Sequence, residues 1–416
     1  MTPRFPSRRA RGGTLFAVML LMLLAISAML AAARHSFHQS GRRAEMHSAV
    51  TLSEARAALL GYALIYPELH PGQAPGYLPC PDQANTGSAP GVACHARDLG
   101  AFGRFPYRTL GLAVPASGPG QCLWYAVSGS FKHNPKALAL NWDSPGQFEI
   151  VDTAGRRLGG DEHSAVAVLI APGAALPGQT RPPAAATTGA QRCSGSDSAL
   201  ADLPAFLDRD YGTGFAGGIT IVHGLPGSNA NDIVAWLTTD DIFDALRLRP
   251  DFLARIDTVL DTAAGMLTSW LGTPELIAAH ADNITADRAH GRFPDAPAAG
   301  IAEEAANLYQ NWRDQLRFVA CTGENPCLTA TLVDPATAHT ATESCRALVI
   351  FGGERRRGDA PQRRRTETER EDPAQYLEGE NLASYTIGMG SYSGLRHYTI
   401  IDHQQPASED ILRCVH

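Results

Sequence analysis

Between Gly13 and Ala33 the chain runs for 21 residues without one charged side chain. As a helix that stretch measures about 31 Å, and a bilayer's hydrocarbon core is about 30 Å thick. Arg4, Arg8, Arg9 and Arg11 precede it with no acid among them. Such a distribution predicts a single-pass span at 13–33 in contact with a lipid bilayer, the N-terminus cytoplasmic and the remainder outside. Arg34, Arg42 and Arg43 follow the stretch, so the orientation rests on the basic leader and the cysteines together. Two other readings compete. The Ala31-Ala32-Ala33 run offers a cleavage site for a secretory signal, although signal cores are usually shorter. A plain anchor with no further role is the second.

Helical character continues past the span. Leu52, Ala55, Leu59, Leu60 and Ala63 recur at helical spacing, and Pro67 marks the end. Gly13 to Tyr66 is therefore predicted as one long helix of about 81 Å.

The segment Arg11-Gly12-Gly13-Thr14-Leu15-Phe16-Ala17-Val18-Met19-Leu20 resembles the leader junction of type IV prepilins and type II secretion pseudopilins. The resemblance implies a leader over 1–12, cut by the prepilin peptidase between Gly12 and Gly13. Ala17 stands at the fifth mature position, where that family usually carries Glu, so the likeness is to minor subunits that lack the acid. Further on, Leu78-Pro79-Cys80-Pro81-Asp82, then Gly103-Arg104-Phe105-Pro106-Tyr107-Arg108-Thr109-Leu110-Gly111-Leu112, then Leu123-Trp124-Tyr125-Ala126-Val127 follow in an order similar to a group of prepilin-like proteins. The implied fold is α+β and pilin-like, a long N-terminal helix over 13–66 on an antiparallel sheet. The implied role is a minor pilin or pseudopilin that primes, caps or decorates a type IV pilus or type II secretion filament. Its implied partners are the prepilin peptidase, other pilins or pseudopilins and an inner-membrane assembly platform. The implied location is the bacterial inner membrane, with residues 67–416 in the periplasm or at a filament tip or cell surface.

Within 67–416, short β-rich runs bounded by Gly, Pro, Asn or Asp predict strands at 165–170, 219–222, 233–237, 348–351, 385–387 and 398–401. Residues 172–198 read as a long Pro- and Gly-rich loop. The period then changes. Phe252, Ile256, Val259, Leu260, Ala263, Leu267 and Trp270 share one helical face. With further helices predicted at 275–290 and 302–320, residues 241–320 read as a helical insertion.

Eight cysteines (Cys80, Cys94, Cys122, Cys193, Cys321, Cys327, Cys345 and Cys414) all follow the uncharged stretch, and none forms a Cys-x-x-Cys pair. An even number of scattered cysteines favours disulfides in an oxidising compartment. Eight permit 105 pairings; Cys80 with Cys94, Cys321 with Cys327 and Cys345 with Cys414 are the first to test.

The composition, 44% apolar and 19% charged, excludes a chain disordered throughout. A formal net charge of −7 argues against nucleic acid as a partner of the whole chain. Positive charge gathers at Arg355, Arg356, Arg357, Arg363, Arg364 and Arg365 within 352–374, with acids between. Such a mixed run reads as a flexible solvated loop, and more sharply as an anion-binding patch. No catalytic motif stands out. Gly390-Ser391-Tyr392-Ser393-Gly394 has the wrong spacing for a nucleophile elbow. Asp240, Asp241 and Asp244 fit a helix start, with a calcium site as the alternative, and Asp208-Arg209-Asp210-Tyr211-Gly212 lacks the Glu of an EF-hand. No metal, cofactor or catalytic residue is predicted. A periplasmic adhesin or binding protein, and an enzyme whose site is dispersed in sequence, remain the alternatives to a filament subunit.

Overall fold

The computed structural model describes residues 12–158, 165–181, 193–212, 214–225, 228–355, 362, 364, 366–399 and 410–416, with the side chains of 12–18 and 30–40 outside the description. In chain order the first half holds α1 (Gly12–Leu64), α2 (Tyr66–Leu69), β1 (Gly100–Arg104), β2 (Trp124–Val127), β3 (Phe148–Asp152), β4 (Ala165–Ala171), α3 (Ala199–Phe206), β5 (Gly214–Phe215), β6 (Ile219–His223) and β7 (Ile233–Thr238). Next come α4 (Thr239–Arg247), α5 (Phe252–Leu271), α6 (Pro274–His280), β8 (Ala281–Ile284), β9 (Arg288–Arg292) and α7 (Glu303–Trp312). The chain closes with β10 (Leu316–Cys321), β11 (Leu328–Val333), β12 (Thr340–Cys345), β13 (Ala347–Phe351), α8 (Glu367–Glu371), α9 (Gly379–Ile387), β14 (Ser391–Leu395) and β15 (Ile411–Val415).

The strands form two large sheets. The first has seven, in the order β5-β1-β2-β4-β3-β6, with β7 also pairing β4. The second has eight, in the order β12-β11-β14-β15-β13-β10-β9-β8. Both mix parallel with antiparallel pairs: β3 runs parallel to β6, and β14 parallel to both β11 and β15. This corrects the expected fold class. The protein is a mixed α/β molecule on two sheets, not a pilin-like helix on one antiparallel sheet. The misreading has a local cause. Ala281–Ile284, Arg288–Arg292 and all but the last residue of Leu316–Cys321 fall inside the expected helical insertion and are strands of the second sheet, so the insertion is not purely helical.

β4 shows how the layers are organised. Every residue of Ala165–Ala171 is buried, because both faces are covered. Val166, Leu169 and Ala171 face a core shared with α1, whereas Ala165, Val168 and Ile170 face Ala199, Leu203 and Phe206 of α3. The second sheet repeats the scheme. Phe318, Val349, Phe351 and Val415 face α5, while Val319, Leu348, Ile350 and Leu412 face Tyr376, Leu377 and Tyr385 on the far side. One continuous core therefore runs from the first sheet through α1, α4, α5 and α7 to the second.

Helix α1 is 53 residues long. Its second half docks on the body through buried Leu52, Ala55, Leu59 and Ala63, with Ser48 Oγ accepting from Gly118 N at 2.8 Å and Arg56 paired to Asp241 at 2.7 Å. The described part of its first half, from Met19 to Met29, is exposed and apolar. Among the described residues no helix is long and apolar enough to cross a membrane. The span at 13–33, the bilayer contact and the inner-membrane location it implied are corrected accordingly.

The short motifs near residue 80 acquire structural reasons. Asp82 accepts hydrogen bonds from Ala84 N and Gly87 N and pairs its backbone with Arg104. A Cβ on Gly103 would lie 2.7 Å from Asp82 O, so this crossing needs glycine. Arg104 is buried with Asp202 at 3.1 Å, its guanidinium over Trp124 and Phe206.

Candidate functional site

Two features outside the packed core offer themselves for function: the bare first half of α1 and a polar cleft between the 137–145 loop of the first-sheet half and segments of the second-sheet half.

On α1, Met19, Leu20, Leu21, Met22, Leu23, Leu24, Ile26 and Met29 are each between 51% and 73% exposed. They extend around the helix, so no single stripe is reserved for the body. Gly12, Gly13 and Ala17 lie in the backbone of this helix, and their side-chain surroundings fall outside the described residues. Of the expected leader over 1–12, residues 1–11 also fall outside.

The cleft encloses about 500 Å³. Its walls come from three distant stretches: the 137–145 loop between β2 and β3, the chain around Arg292 and Arg313, and the segment from Arg364 to Tyr376. At the base lies a buried polar knot. Arg364, 2% exposed, donates to Asp143 Oδ2 at 3.2 Å, to Gln315 Oε1 at 2.7 Å and to the Gly353 carbonyl at 2.9 Å. Gln315 in turn donates to Asp143 Oδ2. The guanidinium groups of Arg364 and Arg317 both stack on the Tyr376 ring, at 4.4 and 4.2 Å from its centre. Burial pushes the Tyr376 phenol up to about 12, so it carries its proton. Burial also lowers the affinity of Arg317 for its proton; carbonyls of Asp314, Leu316 and Arg370 receive its donors. Asp143 Oδ1 and the Tyr376 hydroxyl have no hydrogen-bond partner among the described residues.

The rim alternates in sign. Arg313 pairs with Asp295 at 3.2 Å, and Arg292 with Glu371 at 3.3 Å. Chemically the cleft presents fixed donors and acceptors in alternation.

The arginine run of the sequence divides here. Arg364 is sequestered in the knot and Arg355 lies 3.8 Å from Asp240, while Arg356, Arg357, Arg363 and Arg365 lie outside the described residues. Asp241 completes a capping box with Thr238 at the start of α4 and Asp244 pairs with Arg247. Asp208 accepts from the backbone of Asn231 and Asp232. All eight cysteines are bridged: Cys80–Cys94, Cys321–Cys327 and Cys345–Cys414, the three pairs set first for testing, and Cys122–Cys193. Among the described residues Glu343, Cys414 and His416 bring three ligand-type atoms within 4.8 Å, but the Cys414 sulfur is spent in its disulfide. Asp143, Gln315 and Tyr376 gave no signal in sequence. They lie far apart along the chain and carry no motif; only the tertiary fold joins them.

No protein-family model, no curated protein and no solved structure matches the chain.

Proposed function

We propose that the protein is a non-catalytic assembly subunit of the minor pilin or pseudopilin kind. It primes, caps or decorates a type IV pilus or type II secretion filament by packing the first half of α1 among the helices of neighbouring subunits. The observation that carries this reading is the run from Met19 to Met29, exposed on all sides of a helix whose second half is firmly docked. Exposed contiguous apolar surface of this kind marks an interaction site. A helix apolar all round is stable only when surrounded, and other pilin helices supply such surroundings. The leader-like junction at Gly12 and Gly13 supports the same reading, with the prepilin peptidase, other pilins or pseudopilins and the assembly platform as partners. The bulk of the body suits a filament end, where a large subunit clashes with no successor.

The test is co-expression with a pilus or secretion system from the same cell. Leu20→Asp together with Leu24→Asp should abolish co-purification with pilins and immunogold label on filaments, with an unchanged thermal midpoint for the body. Gly12→Trp should leave the precursor mass unprocessed where the peptidase is present. Filament incorporation unaffected by the Asp pair, or a mass independent of the peptidase, would overturn the proposal.

A further inference from the structure

We propose that the cleft between the 137–145 loop and the second-sheet half is a binding site for an uncharged oligosaccharide. This does not depend on the filament reading.

Size comes first. A volume of about 500 Å³ lies within the range of small-ligand sites and accommodates two to three sugar rings. The lining then selects the chemistry. Ligand pockets are usually mostly apolar, yet this one is walled largely by charged and amide side chains. Their signs alternate: Arg313 stands beside Asp295 and Asp314, and the exposed Arg370 belongs to the same wall as Glu367. An anion would meet the carboxylates and a cation the guanidinium groups, each against an unfavourable field. A hydroxyl both donates and accepts, so a chain of sugar hydroxyls answers each sign in turn at no electrostatic cost.

The base of the cleft adds a second, independent observation. The Asp143 side chain is 7% exposed and Tyr376 is 1% exposed. Asp143 Oδ1 and the Tyr376 hydroxyl have no hydrogen-bond partner among the described residues. Leaving such buried groups unpaired is unfavourable. Arg364 already neutralises the Asp143 charge, so the group that Oδ1 wants is a neutral donor, as an alcohol is. Asp143 and Tyr376 both line the cleft. The guanidinium groups on the Tyr376 ring hold that ring in place, which leaves its hydroxyl, and not its face, for recognition.

The experiment uses the full oxidised chain with maltotriose, triacetylchitotriose and globotriose as probes, read by saturation-transfer NMR and calorimetry, with 3′-sialyllactose and a heparin disaccharide as charged counterparts. At least one uncharged trisaccharide should bind, and Tyr376→Phe should weaken it about tenfold, the value of one hydrogen bond. The same change should leave the thermal midpoint level or higher, because the hydroxyl removed has no partner among the described residues. Should Tyr376→Phe lower the midpoint, Arg370→Ala at the exposed rim gives the same affinity readout without touching the base. The proposal is overturned if none of the three uncharged sugars binds, if only the charged sugars bind, or if both variants bind as tightly as the parent.

Discussion

Single residues in this protein carry charges into places where charge is costly, and each such site makes a separate prediction. Arg104 and Asp202 are both buried, at 3.1 Å from each other. Removing one partner of a buried pair strands the other charge at a cost of about 3–5 kcal/mol. Asp202→Ala should therefore lower stability by that order in urea unfolding, whereas a surface change such as Arg156→Ala, at a pair whose arginine is largely exposed, should leave it nearly unchanged. Asp232 presents a different case. Burial, and then the charge of Asp208, raise its carboxyl to about 7, against about 3.9 in an unfolded chain. Between these values the folded state holds a proton that the unfolded state has released. Stability from this group is thus fully present below about pH 4 and is lost as pH rises towards 7. Asp208→Asn keeps a side-chain oxygen for the backbone amides of Asn231 and Asp232 but removes the neighbouring charge. The thermal midpoint of the parent, followed from pH 4 to 8, should fall more steeply than that of Asp208→Asn. Equal slopes would show that Asp208 does not set the Asp232 carboxyl.

At the level of elements, the four disulfides differ in what they restrain. Cys122–Cys193 closes a separation of 71 residues and Cys321–Cys327 one of only 6. Loop-closure entropy assigns them about 4 and about 2 kcal/mol. Replacing the first pair by Ser should cost about twice as much in unfolding free energy as replacing the second, and alkylation of the denatured, unreduced protein should label no cysteine. Elements also show where sequence patterns suffice. α5 was legible because Phe252, Ile256, Val259, Leu260, Ala263, Leu267 and Trp270 keep a helical period and are all buried or nearly so. The strands β4, β6, β7 and β13 were legible as short β-branched runs between turns. β10 was not: all six of its residues are buried, so no alternation separates it from the end of a helix. β8 and the first part of β9 fell inside the other expected helix, 275–290, because Ala281–Ile284 and Arg288–Arg292 carry little β-branched character. Tyr385–Ile387, expected as a strand, ends α9 instead, where Gly388 adopts the left-handed cap at φ 80° and Tyr385 packs into the second sheet's outer core. Tyr398 lies outside any strand, and residues 400–401 of that expected strand fall outside the described residues. Of the cleft, Arg364, Glu367 and Arg370 belong to the 352–374 run expected as a solvated loop; Glu367 and Arg370 are exposed, whereas Arg364 is buried.

The whole molecule is joined by its middle layer. α1, α4, α5 and α7 contribute to one core that touches both sheets. A truncation such as Leu59→Ala, in fully buried surroundings, should cost about 2–5 kcal/mol and lower the stability of both sheets together. Calorimetry of the full chain should accordingly show one cooperative transition for the body, and two separable transitions would contradict a shared core. The covalent links follow another plan. Cys80–Cys94 and Cys122–Cys193 lie within the first-sheet half, Cys321–Cys327 and Cys345–Cys414 within the second, and none bridges the two. Under tension the body can therefore part along its middle layer while more than a third of its contour stays locked inside closed loops. Its maximum extension is fixed by sulfur chemistry, so a load that breaks every weak contact still meets a tether of defined length.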